Sequence, residues 1–415
     1  MKTITSVKEI KVSIDFGPGS EKKILPIGRL AIRDRKIYFE YDAAFLRAGL
    51  ELSPFRLPLK SGLQSFEPHL FEGLPGLFND SLPDGWGRLL FDRFARSQGI
   101  LPADISPLDR LAHIGNTALG ALVYEPDHSD TSISDAVSLD ELAAGAQEIL
   151  EGETSEVLQE LLRINGSSGG ARPKALIGVN EDFTSIIHGV GDLPVGFTPW
   201  MVKFPNSQDG VDAGAIEYAY AMMASAAGVS MPEVHLFNAD TGPGYFAIKR
   251  YDREDGQRFH VHSACGLLHS DFRTPALDYE DLIALTNMLT RDVREAEKLF
   301  QLAVFNVMAH NRDDHSKNFS YLMDEDGGWR LSPAYDLTFS SGPNGEQSTM
   351  VMGQGRNPGV EDLKKLGEAA KLAPKRVDEI IDQTKAALSQ WDDLAHQYGV
   401  SAENIALIQS KFRTT

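Results

Sequence analysis

Residues 309–322 have the sequence "AHNRDDHSKNFSYL" and collect charged and amide side chains directly behind a strongly apolar segment. That segment, "AEKLFQLAVFNVM" at residues 296–308, repeats apolar positions at helical spacing on more than one side, which predicts a buried helix. The apolar positions are Phe300, Leu302, Ala303, Val304, Phe305, Val307 and Met308. We therefore expect the polar cluster to lie where a core helix reaches the surface.

The overall composition is that of a globular and acidic protein. Its 415 residues are 42% hydrophobic, which is enough for two or three lobes of ordinary size. The formal net charge of -19 opposes direct binding to phosphate backbones, so a role on DNA would need a partner. The single cysteine, Cys265, excludes an internal disulfide and any multi-cysteine metal site. Because neither a signal-peptide pattern nor an apolar run of transmembrane length is present, we expect a cytoplasmic protein with no membrane partner.

Hydrophobic periodicity divides the chain into three predicted parts. Residues 1–125 alternate like strands and include a helix in "DGWGRLLFDRFARSQG", which indicates an α+β domain. Residues 126–255 contain connecting helices, the glycine-rich loop "NGSSGGARPK", a strand with Lys203, a helix with Glu217 and a hairpin. Residues 256–415 are mostly helical, with a further hairpin that ends in "AYDLTF". The predicted class is α+β with two lobes, a sheet-rich N-terminal part and a helical C-terminal lobe.

The order of these features fits phosphoryl transfer from ATP. Asp313 is followed by four residues and then Asn318, the spacing of a kinase catalytic loop, in which Asp acts as the base and Asn binds magnesium. Asp336 lies one hairpin later, where a second magnesium-binding carboxylate is required. Lys203 lies on a predicted buried strand, and an ion pair with Glu217 of the next helix would hold its ammonium group against phosphates. The pattern predicts an ATP- and Mg-dependent kinase.

Each of these residues also has an ordinary structural interpretation. Lys203 could be a solvated edge lysine and Glu217 an exposed helix glutamate. The glycine-rich loop offers backbone N–H groups to an anion, but it matches neither the protein-kinase loop nor the P-loop, and alone it predicts a flexible turn. Arg312 could form a structural ion pair, Asp314 could face solvent, and His315 could hydrogen-bond within its loop. A zinc site at the loop histidines is disfavoured because a third soft ligand is missing.

Taken together, the motifs resemble the HipA family of bacterial serine/threonine kinases, the toxins of persistence-associated toxin–antitoxin systems. The resemblance runs through most of the chain and rests on "GRLAIRDRKIYFEYD", "SLPDGWGR", "GSSGGARPKALIG", "MVKFP", "YFAIKRYDR", "NRDDHSKNFS" and "SPAYDLTFS". It implies that Asp313 is the catalytic base, that Asn318 and Asp336 bind magnesium, and that Lys203 contacts the nucleotide phosphates. A kinase-like fold with two lobes is implied as well.

The resemblance also implies where ATP binds. The glycine-rich loop would cover the nucleotide, a hinge after the hairpin would bind adenine, and Tyr251 has an aromatic face suited to stacking on it. Because Pro173 lacks an amide donor, phosphate contacts must come from other loop amides or from two nearby cations, Arg172 and Lys174. The implied nucleotide-binding set is Gly169, Gly170, Ala171, Arg172, Lys174, Lys203, Lys249, Arg250, Tyr251, His315, Lys317, Asn318, Tyr335 and Asp336.

Regulation and partners follow from the same resemblance. A serine of the family's glycine-rich loop autophosphorylates, and Ser167 matches it best, with Ser168 as the alternative. A phosphate there would add nearly two negative charges where ATP phosphates should lie, so we expect inhibition. The implied partners are a small helix-turn-helix antitoxin, DNA only through that antitoxin, and a protein substrate such as a translation factor or an aminoacyl-tRNA synthetase. Two alternatives stay open, a nucleotide-binding scaffold or co-repressor acting with a helix-turn-helix partner, and a small-molecule phosphotransferase.

Overall fold

The computed structural model describes residues 4–20, 24–130, 136–152, 157–167, 169–206, 209–274 and 276–413. Its helices and sheets confirm the predicted α+β class, with sheet-rich structure in the first 250 residues and mostly helical structure after them. Ser168, one of the two predicted phosphorylation sites, lies outside the described residues.

The N-terminal part is built on an antiparallel five-stranded sheet with the order β4-β3-β2-β1-β5. The strands are β1 (Glu9–Ile14), β2 (Leu25–Arg33), β3 (Lys36–Tyr41), β4 (Gln64–Ser65) and β5 (Leu122–Glu125). Alternation along β1 buries Ile10, Val12 and Ile14 on one face, as the sequence pattern predicted. The helices between these strands are α1 (Ala43–Ala48), α2 (Gly76–Asn79), α3 (Gly85–Ser97) and α4 (Pro107–Ile114).

A second antiparallel five-stranded sheet follows, with the order β7-β6-β8-β10-β9. Its strands are β6 (Lys174–Asn180), β7 (Ile186–His188), β8 (Phe197–Lys203), β9 (Val234–Phe237) and β10 (Tyr245–Lys249). Three helices accompany it, α5 (Leu139–Glu151), α6 (Leu158–Asn165) and α7 (Ala213–Ala226). The register between β6 and β8 places Lys174 directly opposite Lys203, so two cations lie at one end of this sheet.

The C-terminal part is mostly helical. Its helices are α8 (Ala264–Leu268), α9 (Tyr279–Thr290), α10 (Val293–Met308), α11 (Val360–Ala369), α12 (Pro374–Leu388), α13 (Trp391–Gln397) and α14 (Ala402–Gln409). A small ribbon joins β11 (Arg253–Glu254) to β12 (Gln257–Arg258), and a three-stranded sheet has the order β13 (His260–Ser263), β14 (Ser320–Met323), β15 (Trp329–Leu331). The predicted buried helix is α10, in which every residue from Leu299 to Met308 is buried. Within the residues that the structure describes, no helix combines the length and the apolar character needed to span a bilayer.

The hydrophobic cores do not follow the order of the chain. Helix α3 lies within residues 1–125, yet its side chains Trp86 and Phe94 belong to the core of the second sheet, together with Trp200 of β8. In the sequence, helix α7 falls between β8 and β9 of the second sheet, but its side chain Tyr220 packs in the core of the helical lobe. Because elements of neighbouring parts share cores, the parts meet over packed surfaces. The boundaries after residues 125 and 255 stay predictions.

Candidate active site

The polar cluster begins where α10 ends. The backbone of His310 has φ of 57°, in the left-handed region, and this turns the chain away from the helix axis. A short 3-10 turn, Ser316–Asn318, then leads into β14. The residues between α10 and β14 therefore form a loop between a buried helix and a buried strand, and we call residues 311–318 the catalytic loop after the kinase motif whose spacing they match.

The two ends of the predicted Asp-to-Asn spacing are tied together. The side-chain amide of Asn318 donates a hydrogen bond of 2.7 Å to the backbone carbonyl oxygen of Asp313. The Asp313 carboxylate is left accessible, with 58% of its side chain exposed, and His315 Nε2 lies 4.0 Å from its Oδ1. The pKa of Asp313 is raised because the surrounding protein removes part of its water and because Asp336 adds negative charge. This carboxylate can therefore reach an incoming group and hold a proton more readily than an ordinary aspartate.

Asp314, which the sequence allowed to face solvent, is buried, and that interpretation is wrong. Only 1% of the residue is exposed. Its Oδ2 accepts hydrogen bonds from the Tyr279 hydroxyl at 2.7 Å and from Gln347 Nε2 at 3.0 Å. Its Oδ1 accepts from the backbone N–H groups of Ser348 at 2.9 Å and Thr349 at 3.1 Å. Burial raises the pKa of Asp314 to about 6 despite these donors, so the residue anchors the loop from below.

Two other loop residues also differ from expectation. The Arg312 guanidinium donates to the backbone carbonyl oxygens of Gly345 and of Arg356, the latter at 2.9 Å, so it binds backbone instead of forming the suggested ion pair. For His315 the sequence suggested a hydrogen bond within its loop, but its Nδ1 has no hydrogen-bond partner among the described residues and its Nε2 lies 4.0 Å from Asp313 Oδ1, beyond hydrogen-bond distance. Its ring instead packs against Phe272 at 5.2 Å between centroids. In both cases the partner comes from a segment that is distant in sequence.

A buried charge cluster lies at the end of β8. Lys203 Nζ is 2.5 Å from Glu217 Oε1 and 2.5 Å from Asp336 Oδ1. Lys203 is 8% exposed and Glu217 only 1%, so the solvated-lysine and exposed-glutamate interpretations are excluded. Burial alone would lower the pKa of Lys203, but the carboxylates of Asp336 and Glu217 raise it above its ordinary value. The lysine therefore stays charged and is held at a fixed position.

Asp336 approaches the cluster from the segment after β15. Its backbone has φ of 58°, an uncommon conformation for a residue with a side chain, and such strain is found most often at functional sites. Burial alone would raise the pKa of its carboxyl, but Lys203 and Lys174 hold that pKa well below its usual range. Asp336 is thus a permanently charged carboxylate with about a third of its side chain, 34%, still exposed.

Two further cations join this cluster. Arg172 Nη1 lies 3.2 Å from Glu217 Oε2, and its Nε lies 2.8 Å from Asp209 Oδ2. The buried Lys174 donates to the carbonyl oxygen of Gly169, and burial together with Lys203 lowers its pKa to about 8. Asp209 was missed at the sequence level, where nothing in its local pattern distinguishes it from a loop aspartate. The three cations lie among three carboxylates, those of Asp209, Glu217 and Asp336, so the cluster combines groups that can contact phosphates with groups that can contact a cation.

The sequence predicted that the backbone amides of the glycine-rich loop are available to an anion, but one of them is already hydrogen-bonded to a side chain. The N–H of Gly170 donates to Asp84 Oδ1, so this amide is not free to bind an anion in this conformation. Asp84 also lies 2.6 Å from Lys317 Nζ of the catalytic loop. The sequence placed Asp84 only within the motif "SLPDGWGR" and assigned it no role. Its place in that motif was the sequence signal that could have identified Asp84.

The predicted phosphorylation site Ser167 is buried and hydrogen-bonded to another part of the protein. Ser167 is 4% exposed, and its Oγ accepts a hydrogen bond of 2.6 Å from Leu119 N–H.

In the hinge, Lys249 Nζ approaches Glu233 at 3.4 Å, and Arg250 makes two hydrogen bonds of 2.9 and 2.7 Å to Asp252. The ring of Tyr251 stacks on Tyr335 with centroids 5.4 Å apart. One face of Tyr251 is therefore covered by protein.

The oxygen atoms near the catalytic loop fit a hard cation. Asn318 uses its amide nitrogen to bind Asp313, and its amide oxygen is therefore the group that it can offer to a metal. Lys203 engages one oxygen of the Asp336 carboxylate, which has a second oxygen to offer. A carboxylate and an amide oxygen are ligands that magnesium prefers. The donor set thus fits Mg²⁺, and Arg172, Lys174 and Lys203 fit the phosphates of a nucleotide.

Comparison with known proteins assigns the chain to a family. A family model described as the HipA-like C-terminal domain matches residues 166–391, more than half of the chain. The chain belongs to the HipA family. A second model, the HipA N-terminal domain, matches residues 23–125. The resemblance drawn from the sequence motifs is confirmed, and the two matched ranges contain the second sheet with the catalytic loop and most of the first sheet.

Curated relatives of this HipA-family chain are found in Sinorhizobium fredii (strain NBRC 101917 / NGR234). The protein named "Putative kinase Y4mE" is 26% identical over 367 residues, which cover 80% of this chain and 83% of the relative. "Putative kinase Y4dM" is 26% identical over 381 residues, which cover 84% and 83%.

Among solved structures, a chain of the Shewanella oneidensis MR-1 complex of HipA, HipB and its operator DNA is similar, with a TM-score of 0.65 and 16% identity. The match covers 97% of this chain and 95% of the other, and it confirms the kinase-like fold.

Proposed function

We propose that the chain is an ATP- and Mg-dependent serine/threonine protein kinase that acts as the toxin of a toxin–antitoxin pair. The observation that carries this proposal is the position of Lys203, which bridges Glu217 and Asp336 within 2.5 Å of each. A lysine on a strand paired with a helix glutamate, next to a metal-binding carboxylate, is the arrangement that a kinase needs before it can transfer a phosphoryl group. A scaffold that only binds partners has no need of it.

The proposed mechanism assigns a task to each group. Lys203, held by Glu217, would fix the phosphates, and magnesium, when bound through Asn318 and Asp336, would neutralise charge on them. Asp313 would accept the proton of the acceptor hydroxyl, and its raised pKa suits that role. The acceptor oxygen would form a bond to the γ-phosphorus while the bond from that phosphorus to the leaving oxygen of ADP breaks.

Partners are proposed from the family and its relatives. The similar structure contains HipA with HipB and operator DNA, which supports a small helix-turn-helix antitoxin as the partner of this chain. The net charge of -19 supports DNA contact through that antitoxin only. For the acceptor we propose a protein of translation, such as an aminoacyl-tRNA synthetase, in the cytoplasm.

Regulation by autophosphorylation is proposed at Ser167. The hydrogen bond from Leu119 N–H and the 4% exposure support a loop that must open before its serine can accept a phosphate. Once phosphorylated, Ser167 could not return to the same buried position, because two negative charges would enter a space without water. We expect the modified loop to stay displaced and the kinase to be inhibited.

The test is transfer of label from γ-labelled ATP with magnesium to the purified protein and to a proteome extract. Wild type should transfer label, with a phosphosite at Ser167 by mass spectrometry, and Asp313→Ala should not. Asp393→Ala, at an exposed aspartate of α13, serves as the matched control and should behave as wild type. If wild type binds ATP but transfers nothing to any protein, the scaffold alternative replaces the kinase. Transfer to a small molecule alone, seen by intact mass, would favour a small-molecule phosphotransferase.

A further inference from the structure

Asp84 occupies the N-cap position of α3 but does not cap that helix. An aspartate at this position ordinarily accepts a hydrogen bond from an N–H group of the first helical turn. Here the side chain makes no such bond, although the backbone of Asp84 is extended, as in other N-cap residues. A good capping residue that leaves its own helix uncapped indicates that its carboxylate is bound elsewhere.

The carboxylate instead joins the glycine-rich loop to the catalytic loop. Its Oδ1 accepts the N–H of Gly170, and its Oδ2 lies 2.6 Å from Lys317 Nζ. Both side chains of the ion pair are well covered, with 16% of Lys317 and 15% of Asp84 exposed. Burial alone would raise the pKa of Asp84, but Lys317 and the Gly170 N–H hold it below its usual value. The group is therefore a charged anchor between two segments of the proposed nucleotide site.

The residues that follow Asp84 pack against the same loop. Trp86 N–H donates a hydrogen bond of 3.0 Å to the carbonyl oxygen of Gly170. Gly85 has φ of 40°, and a Cβ atom there would lie 2.5 Å from the Gly170 oxygen and 2.8 Å from Ala171 Cα. Only glycine allows this approach. Asp84, Gly85 and Trp86 thus all contact Gly170 of the glycine-rich loop, through its N–H group and its carbonyl group, and we call these three residues the loop clamp.

The beginning of the glycine-rich loop is held by another N-terminal segment. Leu119 N–H donates to Ser167 Oγ at 2.6 Å, and a Cβ atom on Gly166 would lie 3.0 Å from the carbonyl oxygen of Thr117. Both segments lie within residues 23–125, the range that matches the HipA N-terminal domain. The loop is therefore shaped by groups outside the second sheet to which it is attached.

We propose that Asp84 is a positioning residue of the nucleotide site and that the N-terminal domain completes that site. This inference rests on the proposed function, because it assigns Asp84 a role in binding the nucleotide of the kinase. A glycine-rich loop that is free in solution must be ordered when the nucleotide binds, at a cost in conformational entropy. Asp84 removes much of that cost by holding Gly170 and Lys317 in place beforehand.

The test compares Asp84→Ala and Asp84→Asn with wild type in the full-length chain. The matched control is Asp92→Asn, because Asp92 lies on the same helix and pairs with Arg110 at 2.9 Å, on a partner that is not in either loop. The measurements are the Kd of ADP with magnesium by calorimetry, and the KM for ATP and the kcat of label transfer. Hydrogen exchange of the amides of residues 169–172 reports on the loop itself.

We expect Asp84→Ala to raise Kd and KM about tenfold or more, since a charge-assisted hydrogen bond is lost, with a smaller change in kcat. Exchange at residues 169–172 should become faster. Asp84→Asn should recover part of the affinity, because its amide oxygen can still accept the Gly170 N–H. Asp92→Asn should keep the wild-type Kd.

The other possible results contradict either the inference about Asp84 or the proposed function. If wild type binds ADP and Asp84→Ala binds it equally well, the inference is overturned and the kinase proposal stands. A wild type that binds no nucleotide overturns the proposed function itself. If Asp92→Asn loses as much affinity as Asp84→Ala, the effect arises from the stability of α3 and the inference is again wrong. If Asp84→Ala does not fold, the Kd of Asp84→Asn relative to Asp92→Asn decides.

Discussion

The catalytic loop has two faces that carry the same residue type in opposite environments. On its open face, Asp313 has 58% of its side chain exposed, and the hydrogen bond that ties it to Asn318 uses its backbone oxygen. On its buried face, the adjacent Asp314 is 1% exposed, and its carboxylate accepts four hydrogen bonds. The difference teaches that one aspartate fixes the loop while its neighbour stays exposed at the surface of the site.

The anchoring partners come from segments that are far away in the sequence. Tyr279 lies on α9, and Gln347, Ser348 and Thr349 lie beyond the hairpin of β14 and β15. Asn306 of α10 joins the same network by donating to the Tyr279 hydroxyl at 3.0 Å. The buried face therefore connects three parts of the helical lobe. We expect changes on the open face to affect activity alone and changes on the buried face to affect stability first.

The largest expected effect is that of Asp313→Asn on the open face. The substitution keeps the shape of the side chain but removes the proposed proton acceptor, so kcat should fall about a hundredfold to ten-thousandfold. The measurement is label transfer at saturating ATP, with the melting temperature recorded beside it. A melting temperature that changes as much as that of a buried-face variant would contradict the division between the two faces.

Next in size is Asp314→Ala on the buried face. It leaves two backbone N–H groups, a hydroxyl and an amide without their acceptor, and we expect a loss of about 3 kcal/mol or more in the free energy of unfolding. Denaturant unfolding measures it. Asp314→Asn, which retains one oxygen acceptor, is the control and should lose less. Equal losses in the two variants would mean that the hydrogen bonds are not what anchors the loop.

The pH dependence of stability sharpens the comparison. Burial raises the pKa of Asp314 to about 6, above its ordinary value, so the folded protein holds this proton more tightly than the unfolded chain does. The contribution to stability is present below about pH 4 and is lost as the pH rises through about 6, which amounts to roughly 3 kcal/mol. Melting temperatures of wild type and Asp314→Asn between pH 4 and 7 should therefore diverge. Parallel curves would show that Asp314 does not titrate in this range.

The smallest expected effect is that of Tyr279→Phe. The change removes one hydroxyl, which donates to Asp314 at 2.7 Å and accepts from Asn306, and it adds no bulk. We expect a loss of about 1–2 kcal/mol in the free energy of unfolding, with KM for ATP unchanged. A rise in KM for ATP as large as that expected for Asp84→Ala would show that the buried network also shapes the nucleotide site.

Regular elements were predicted well because their signals are local. The apolar spacing in α10 and the alternation in β1 predicted these elements from residues less than one element apart. The pairing of Lys203 with Glu217 was also predicted, because the order of strand lysine and helix glutamate is the one that phosphoryl transfer needs. The roles of Asp313, Asn318 and Asp336 in catalysis stay predictions.

The predictions that failed concern loop residues, because their hydrogen-bond partners are distant in the sequence. Arg312 binds carbonyl oxygens 33 and 44 positions away, and Gly170 binds Asp84, which lies 86 positions earlier. No local pattern carries that information. The shared cores have the same origin, because helix α3 packs on the second sheet although it belongs to the first predicted domain.

The sequence by itself determined the α+β class, the order of strands and helices, the family and the spacing of the charged motifs, because these depend on periodicity and on neighbouring residues. Only the tertiary structure decided which of two consecutive aspartates is exposed and which N-terminal residues hold the glycine-rich loop. The physical reason is that burial depends on which surfaces of distant elements pack together. A carboxylate becomes an anchor only where packing removes its water and supplies donors in exchange.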